Sequence, residues 1–137
     1  LGCGGVDWAI HRAAVSVLVR VCRMVGGCNS GEAKFTKGYN LPALYFIHTV
    51  GPVWNGGNNR EAELLASCYR RSLEIAGENK FNSLAFPCIS TGIYGFPNKL
   101  AAETAVKTCQ QEQNNRDLKI IFCCLGQEDY EIYQSIL

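Results

Sequence analysis

Neither sign of charge dominates this chain. Thirteen Lys and Arg stand against twelve Asp and Glu over 137 residues, a formal balance of +1. Duplex nucleic acid calls for a basic footprint, and the composition offers none. No apolar run approaches the ~20 residues that a membrane helix needs. No basic stretch followed by a short apolar region opens the chain, so a signal peptide is not expected. The first residue is Leu1 rather than Met, as in a processed chain or a fragment. Internal repeats, low-complexity tracts and charge blocks are also missing. What is present is a hydrophobic content of 47%, enough for one domain over residues 1–137 to bury a core.

Cysteine is frequent, but not in a disulfide or zinc pattern. The eight cysteines make up about 6% of the chain, below the ~8–10% of disulfide scaffolds. They form no C-x-x-C pair and no Cys/His cluster with zinc-finger spacing. Most lie in apolar runs, where Cys acts as a small hydrophobe. The expectation is reduced, buried thiols in a cytoplasmic protein with no metal and no cofactor.

Hydrophobic spacing predicts a helix from about Asp7 to Met24, with Ile10, Ala13, Ala14, Val17, Leu18 and Val21 on one face. Extended stretches follow at 33–38 and 43–50. The run Asn55-Gly56-Gly57-Asn58-Asn59 reads as a mobile loop. Further helices are expected at about 60–78, 98–113 and 128–137, with short buried strands at 83–87 and 118–125. From Ala43 onward strands alternate with helices. That favours an α/β sheet with parallel members and helices on both faces. Ligands of such sheets bind at the carboxyl ends of strands, in loops that lead into helices.

Two such loops carry chemistry. Gly2-Cys3-Gly4-Gly5-Val6-Asp7 opens the first helix, where close backbone approach and a helix N-terminus suit an anion. Its spacing is not that of a dinucleotide fingerprint, and Asp7 as an ordinary N-cap is the simpler reading of that segment alone. Pro87-Cys88-Ile89-Ser90-Thr91-Gly92-Ile93-Tyr94-Gly95-Phe96-Pro97 leaves a strand and enters a helix. Gly92 and Gly95 permit positive φ, so backbone N–H groups can converge as an anion nest for a diphosphate. Ser90 and Thr91 add hydroxyl donors. No Lys follows, so this is not a Walker-type loop. His48 and His11 read as packed structural residues. Cys3 and Cys88 fall near the two loops, but no base is in view to activate either thiol.

These residues resemble a known family. Gly4-Gly5-Val6-Asp7-Trp8-Ala9-Ile10-His11-Arg12-Ala13-Ala14 is similar to the G-G-V-D-x-x-I-H-x-A-A segment of macrodomains. Lys37 to Ala43, Ile47 to Trp54 and Ala85 to Pro97 fit the same family, in the same order, over essentially the whole chain. The resemblance is to the MacroD-type class. It implies a three-layer α/β/α fold around a mixed central sheet. The family's first strands and an Asn-containing turn fall ahead of Leu1, so that fold is expected with its first strands missing. An adenine-binding acidic residue and a distal-ribose asparagine lie on that upstream part.

By resemblance, Asp7 matches the catalytic aspartate. Gly4, Gly5 and Val6 match the loop against the distal ribose and phosphate. Ser90, Thr91, Gly92, Ile93, Tyr94, Gly95 and Phe96 match the diphosphate and distal-ribose loop. Leu125 stands where relatives often place an aromatic ring against adenine, Cys3 where the family usually has glycine, and Val15-Ser16 where it usually has Gly-Pro. The implied function is binding of ADP-ribose and hydrolysis of mono-ADP-ribose esters on acidic side chains, of O-acetyl-ADP-ribose, or of both. ADP-ribosylated protein is then the partner. A non-catalytic ADP-ribose reader and an inactive truncated relic are the competing readings.

Overall fold

The computed structural model describes residues 29–37, 45–113 and 117–137. The expected first helix and the Gly4–Asp7 loop lie outside the described residues. Within them the element order is β1 (Ala33–Lys37), β2 (Tyr45–Thr49), α1 (Glu61–Glu78), β3 (Ser83–Phe86), α2 (Asn98–Glu112), β4 (Lys119–Phe122) and α3 (Gln127–Ile136). Each falls within a few residues of its expected span.

Strand pairing is of both kinds. β1 and β2 run antiparallel, with Ala33 opposite Thr49 and Lys37 opposite Tyr45. β3 and β4 run parallel, with Ser83 beside Lys119 and Phe86 beside Phe122. The parallel pair needs a crossover, and α2 supplies it. This is the mixed α/β character that the alternation of elements suggested. The expectation of strands buried on both faces is corrected. Leu84, Phe86, Ile120 and Phe122 belong to the core or pack against it, whereas Ala85 and Ile121 are exposed. Period two sends alternate side chains to opposite faces, and only one set meets the core.

The core lies where the three helices meet that face. Leu65, Tyr69, Leu73 and Ala76 form the buried stripe of α1, at spacings of three and four. Ala101, Ala102, Ala105 and Val106 form that of α2. Three alanines in that stripe let α2 sit close to α1. Tyr133 brings α3 in, its ring 4.9 Å from that of Phe122. Burial pushes the Tyr69 and Tyr133 phenols well above their usual range, so both stay neutral. His48 is the satisfied structural residue expected, with Nε2 2.8 Å from Thr36 Oγ1 on the paired strand.

Candidate functional site

Because β3 and β4 are parallel neighbours, the loops that follow them open at the same end of the sheet. The first covers residues 87–97 and the second 123–126. Cys123 N–H donates to Phe86 O at 2.7 Å, which carries the pairing one step beyond the strands. Asn98 Nδ2 donates to Asp129 Oδ1 at 2.9 Å, joining the first turns of α2 and α3. Ser90 to Phe96 and Leu125 therefore share one rim, as the carboxyl-end rule requires. Asp7, Gly4, Gly5 and Val6 lie outside the described residues, so the structure does not place them relative to that rim.

The 87–97 loop is a tight, internally bonded turn. Gly95 N–H donates to Gly92 O at 3.0 Å, and Phe96 N–H to Ser90 O at 2.9 Å. The N–H groups of Gly92 and Ile93 make no such bond, and a side chain at Gly92 would meet open space. Ile93 is 82% exposed. An exposed turn with unbonded backbone N–H groups can receive an anion. Two expectations are corrected in detail. Positive φ falls on Gly95 (71°) and on Ser90 (66°), not on Gly92. The hydroxyls are not offered to solvent either. Thr91 Oγ1 donates to Cys88 O at 2.9 Å, and Ser90 Oγ is buried without a partner among the described residues. Phe96 lies beneath the loop, 1% exposed. Leu125 projects fully into solvent on the second loop.

A second layer holds this turn, and sequence reasoning passed over it. An ideal Cβ at Gly51 would stand 2.1 Å from Ser90 Oγ and 2.7 Å from Ile89 Cγ2, so only glycine lets the loop sit here. Trp54 N–H donates to Tyr94 O at 2.8 Å, and its ring lies 4.8 Å from that of Phe96. The 55–59 segment is not a free loop. The buried Glu61 carboxylate accepts from Asn55 N–H at 2.9 Å, Gly57 N–H at 2.8 Å and Asn59 N–H at 2.5 Å. Burial raises the Glu61 carboxyl, but these donors and its own N–H outweigh it and hold the group below its ordinary value. The available signal was an acidic residue at a helix start, straight after a Gly/Asn-rich run.

Cys88 sits under the rim. Burial, then the Asp129 carboxylate and Cys124, push its thiol up to about 12. It is protonated at neutral pH and no nucleophile. Among the described residues no group of three or more His, Cys, Asp and Glu is arranged to hold a metal ion. No helix among them is long and apolar enough to cross a membrane.

The macro domain family profile matches residues 1–105. The chain belongs to the macro domain family. A macro domain-containing protein of Chlorobaculum tepidum is 57% identical over 139 residues, spanning 100% of this chain and 81% of that protein. Human ADP-ribose glycohydrolase MACROD2 is 51% identical over 139 residues, spanning 98% of this chain and 33% of that larger protein. The crystal structure of the Trypanosoma brucei macrodomain in complex with ADP-ribose superposes with a TM-score of 0.91 at 40% identity. It covers 99% of this chain and 58% of the other. The macrodomain fold is thereby shown, and with it the α/β class.

Proposed function

We propose that this macrodomain binds ADP-ribose at the rim formed by the 87–97 and 123–126 loops and hydrolyses the ester linking mono-ADP-ribose to an acidic side chain. The carrying observation is the 90–96 turn, whose Gly92 and Ile93 N–H groups make no backbone hydrogen bond among the described residues. A diphosphate meets such donors well, because it brings the charge that the backbone dipoles favour. Similarity to a protein named ADP-ribose glycohydrolase and to a macrodomain crystallised with ADP-ribose supports the same ligand.

In this reading the turn anchors the diphosphate, Leu125 lies along the adenine, and Gly4, Gly5 and Val6 close on the distal ribose. Asp7 orients a water and takes its proton as the water attacks the anomeric carbon or the ester carbonyl. The ester C–O bond breaks, the freed carboxylate leaves as one product, and ADP-ribose leaves as the other. Fixing the diphosphate holds the reacting ribose in place, which is how binding contributes to rate. O-acetyl-ADP-ribose presents the same ester chemistry and is a second substrate. ADP-ribosylated protein is the partner, and a reducing cytoplasm is the location, in keeping with the free thiols of the described cysteines.

The test measures release of ADP-ribose from a glutamate-modified protein, alongside calorimetric binding of ADP-ribose. Asp7→Asn can still cap a helix but cannot take a proton. It is expected to bind like wild type and to turn over ~10²–10⁴ times slower. Gly92→Glu places a carboxylate at the open face of the turn and abolishes binding. Wild-type turnover by Asp7→Asn sinks the mechanism. Binding by wild type with no release from any ester substrate replaces hydrolase with reader.

A further inference from the structure

We infer that Glu61 is a positioning residue for the diphosphate turn, acting through the 54–59 segment and the Trp54 ring. The inference rests on the proposed function for its ligand, but the strut itself stands on geometry. Glu61 begins α1 and is 1% exposed. No cation is bonded to it among the described residues. Its charge is met instead by the N–H groups of Asn55, Gly57 and Asn59. Three donors on one carboxylate fix a segment whose composition would otherwise leave it loose.

The fixed segment is what seats Trp54. Gly57 lies against the indole, so that an ideal Cβ there would stand 2.9 Å from Cη2. Asn55, whose N–H Glu61 holds, is the next residue in the chain. Trp54 in turn touches the turn at two points, by N–H to Tyr94 O at 2.8 Å and by its ring on Phe96. The path from the carboxylate to the donors of the turn is therefore continuous and made of packed groups. Glu61 does not lie in the turn and is not placed against the ligand. Its effect on binding is indirect, through the shape of 90–96.

Glu61→Gln is the informative variant because it keeps volume. Whichever way the amide is turned, its NH2 faces at least one backbone N–H, and two donors cannot bond each other. Hydrogen exchange gives a readout that needs no ligand. In E61Q the Gly95 and Phe96 amides should exchange at least ~10-fold faster, while the Ala105 amide in α2 is unchanged. ADP-ribose affinity at a temperature where the protein stays folded should fall at least ~10-fold. In a Trp54→Leu background, adding E61Q should cost little further affinity, because both act on one path. Unchanged exchange at Gly95 and Phe96 overturns the inference, as does full additivity of the two substitutions. If E61Q does not fold, E61D is read by the same criteria, since its shorter side chain keeps the charge but cannot span the three donors. Faster exchange in a protein that has no ADP-ribose affinity even as wild type leaves the strut standing and removes the ligand reading instead.

Discussion

Replacing Gly51 by alanine tests how closely the 90–96 turn is seated. One methyl group is added at a buried site, 2.1 Å from Ser90 Oγ and 2.7 Å from Ile89 Cγ2. Ordinary contact begins at 3.4 Å, so the hydroxyl must retreat by roughly 1 Å, in the range where overpacking is costly. Ser90 cannot give way freely, because its backbone is already left-handed at φ 66° and its carbonyl holds Phe96 N–H. Overpacking of this kind costs ~1–3 kcal/mol, and Gly51→Ala should lose that much in urea denaturation. The same displacement disturbs the 90–96 donors, so calorimetric ADP-ribose affinity should fall at least ~10-fold, about 1.4 kcal/mol. Ser90→Ala removes the obstructing oxygen. Alone it deletes a buried hydroxyl with no partner among the described residues and should be neutral or stabilising. Combined with Gly51→Ala it should recover part of the lost stability, with the Ile89 contact left over. A Gly51→Ala protein with wild-type stability and affinity would refute the argument. So would a Ser90→Ala second change that recovers nothing.

Four further outcomes are expected. Leu125→Tyr should tighten ADP-ribose binding by ~0.5–1.5 kcal/mol through stacking on adenine, and unchanged affinity would remove Leu125 from the base. Burial, joined at Cys88 by Asp129 and Cys124, pushes the Cys88 and Cys109 thiols up to about 12. At pH 8 both stay protonated, so among the described cysteines the exposed Cys123 should alkylate first in the native protein. In denaturant without reductant, eight thiols should titrate, and four or fewer would contradict a reducing compartment. Glu61 has a folded pKa below its ordinary value of 4.5. Its stabilisation is therefore present above that value and is lost as pH falls through the folded one. Urea midpoints of wild type and E61Q should differ most at neutral pH and converge below about pH 4.5, and a constant gap would show that the charge plays no part.

The element pattern was legible because it depends on local rules. The sequence reads Leu64, Leu65, Cys68, Leu73 and Ile75 as one helix face, of which Leu65, Cys68 and Leu73 are buried, and Gly/Asn runs and prolines mark helix ends. The P-C-I-S-T-G-I-Y-G-F-P run between a strand and a helix marked a glycine-containing turn for the same reason. Which residue of that run takes the left-handed backbone was not legible. Ser90 does so because its carbonyl closes on Phe96 and Gly51 leaves room for its side chain, and Gly51 is 39 residues away in sequence. Strand faces were misread in the same way. Ala85 and Ile121 sit in apolar runs that look buried throughout, but burial depends on what packs against each face. The 55–59 segment shows the difference most clearly. Its composition permits mobility, and only the folded chain brings its N–H groups onto the Glu61 carboxylate. Sequence by itself determined the elements, the family resemblance and the place of the 90–96 turn, since those reside in contiguous residues. Tertiary structure alone decided how the turn is seated, because Gly51, Trp54 and Glu61 reach it through packing and hydrogen bonds between distant segments.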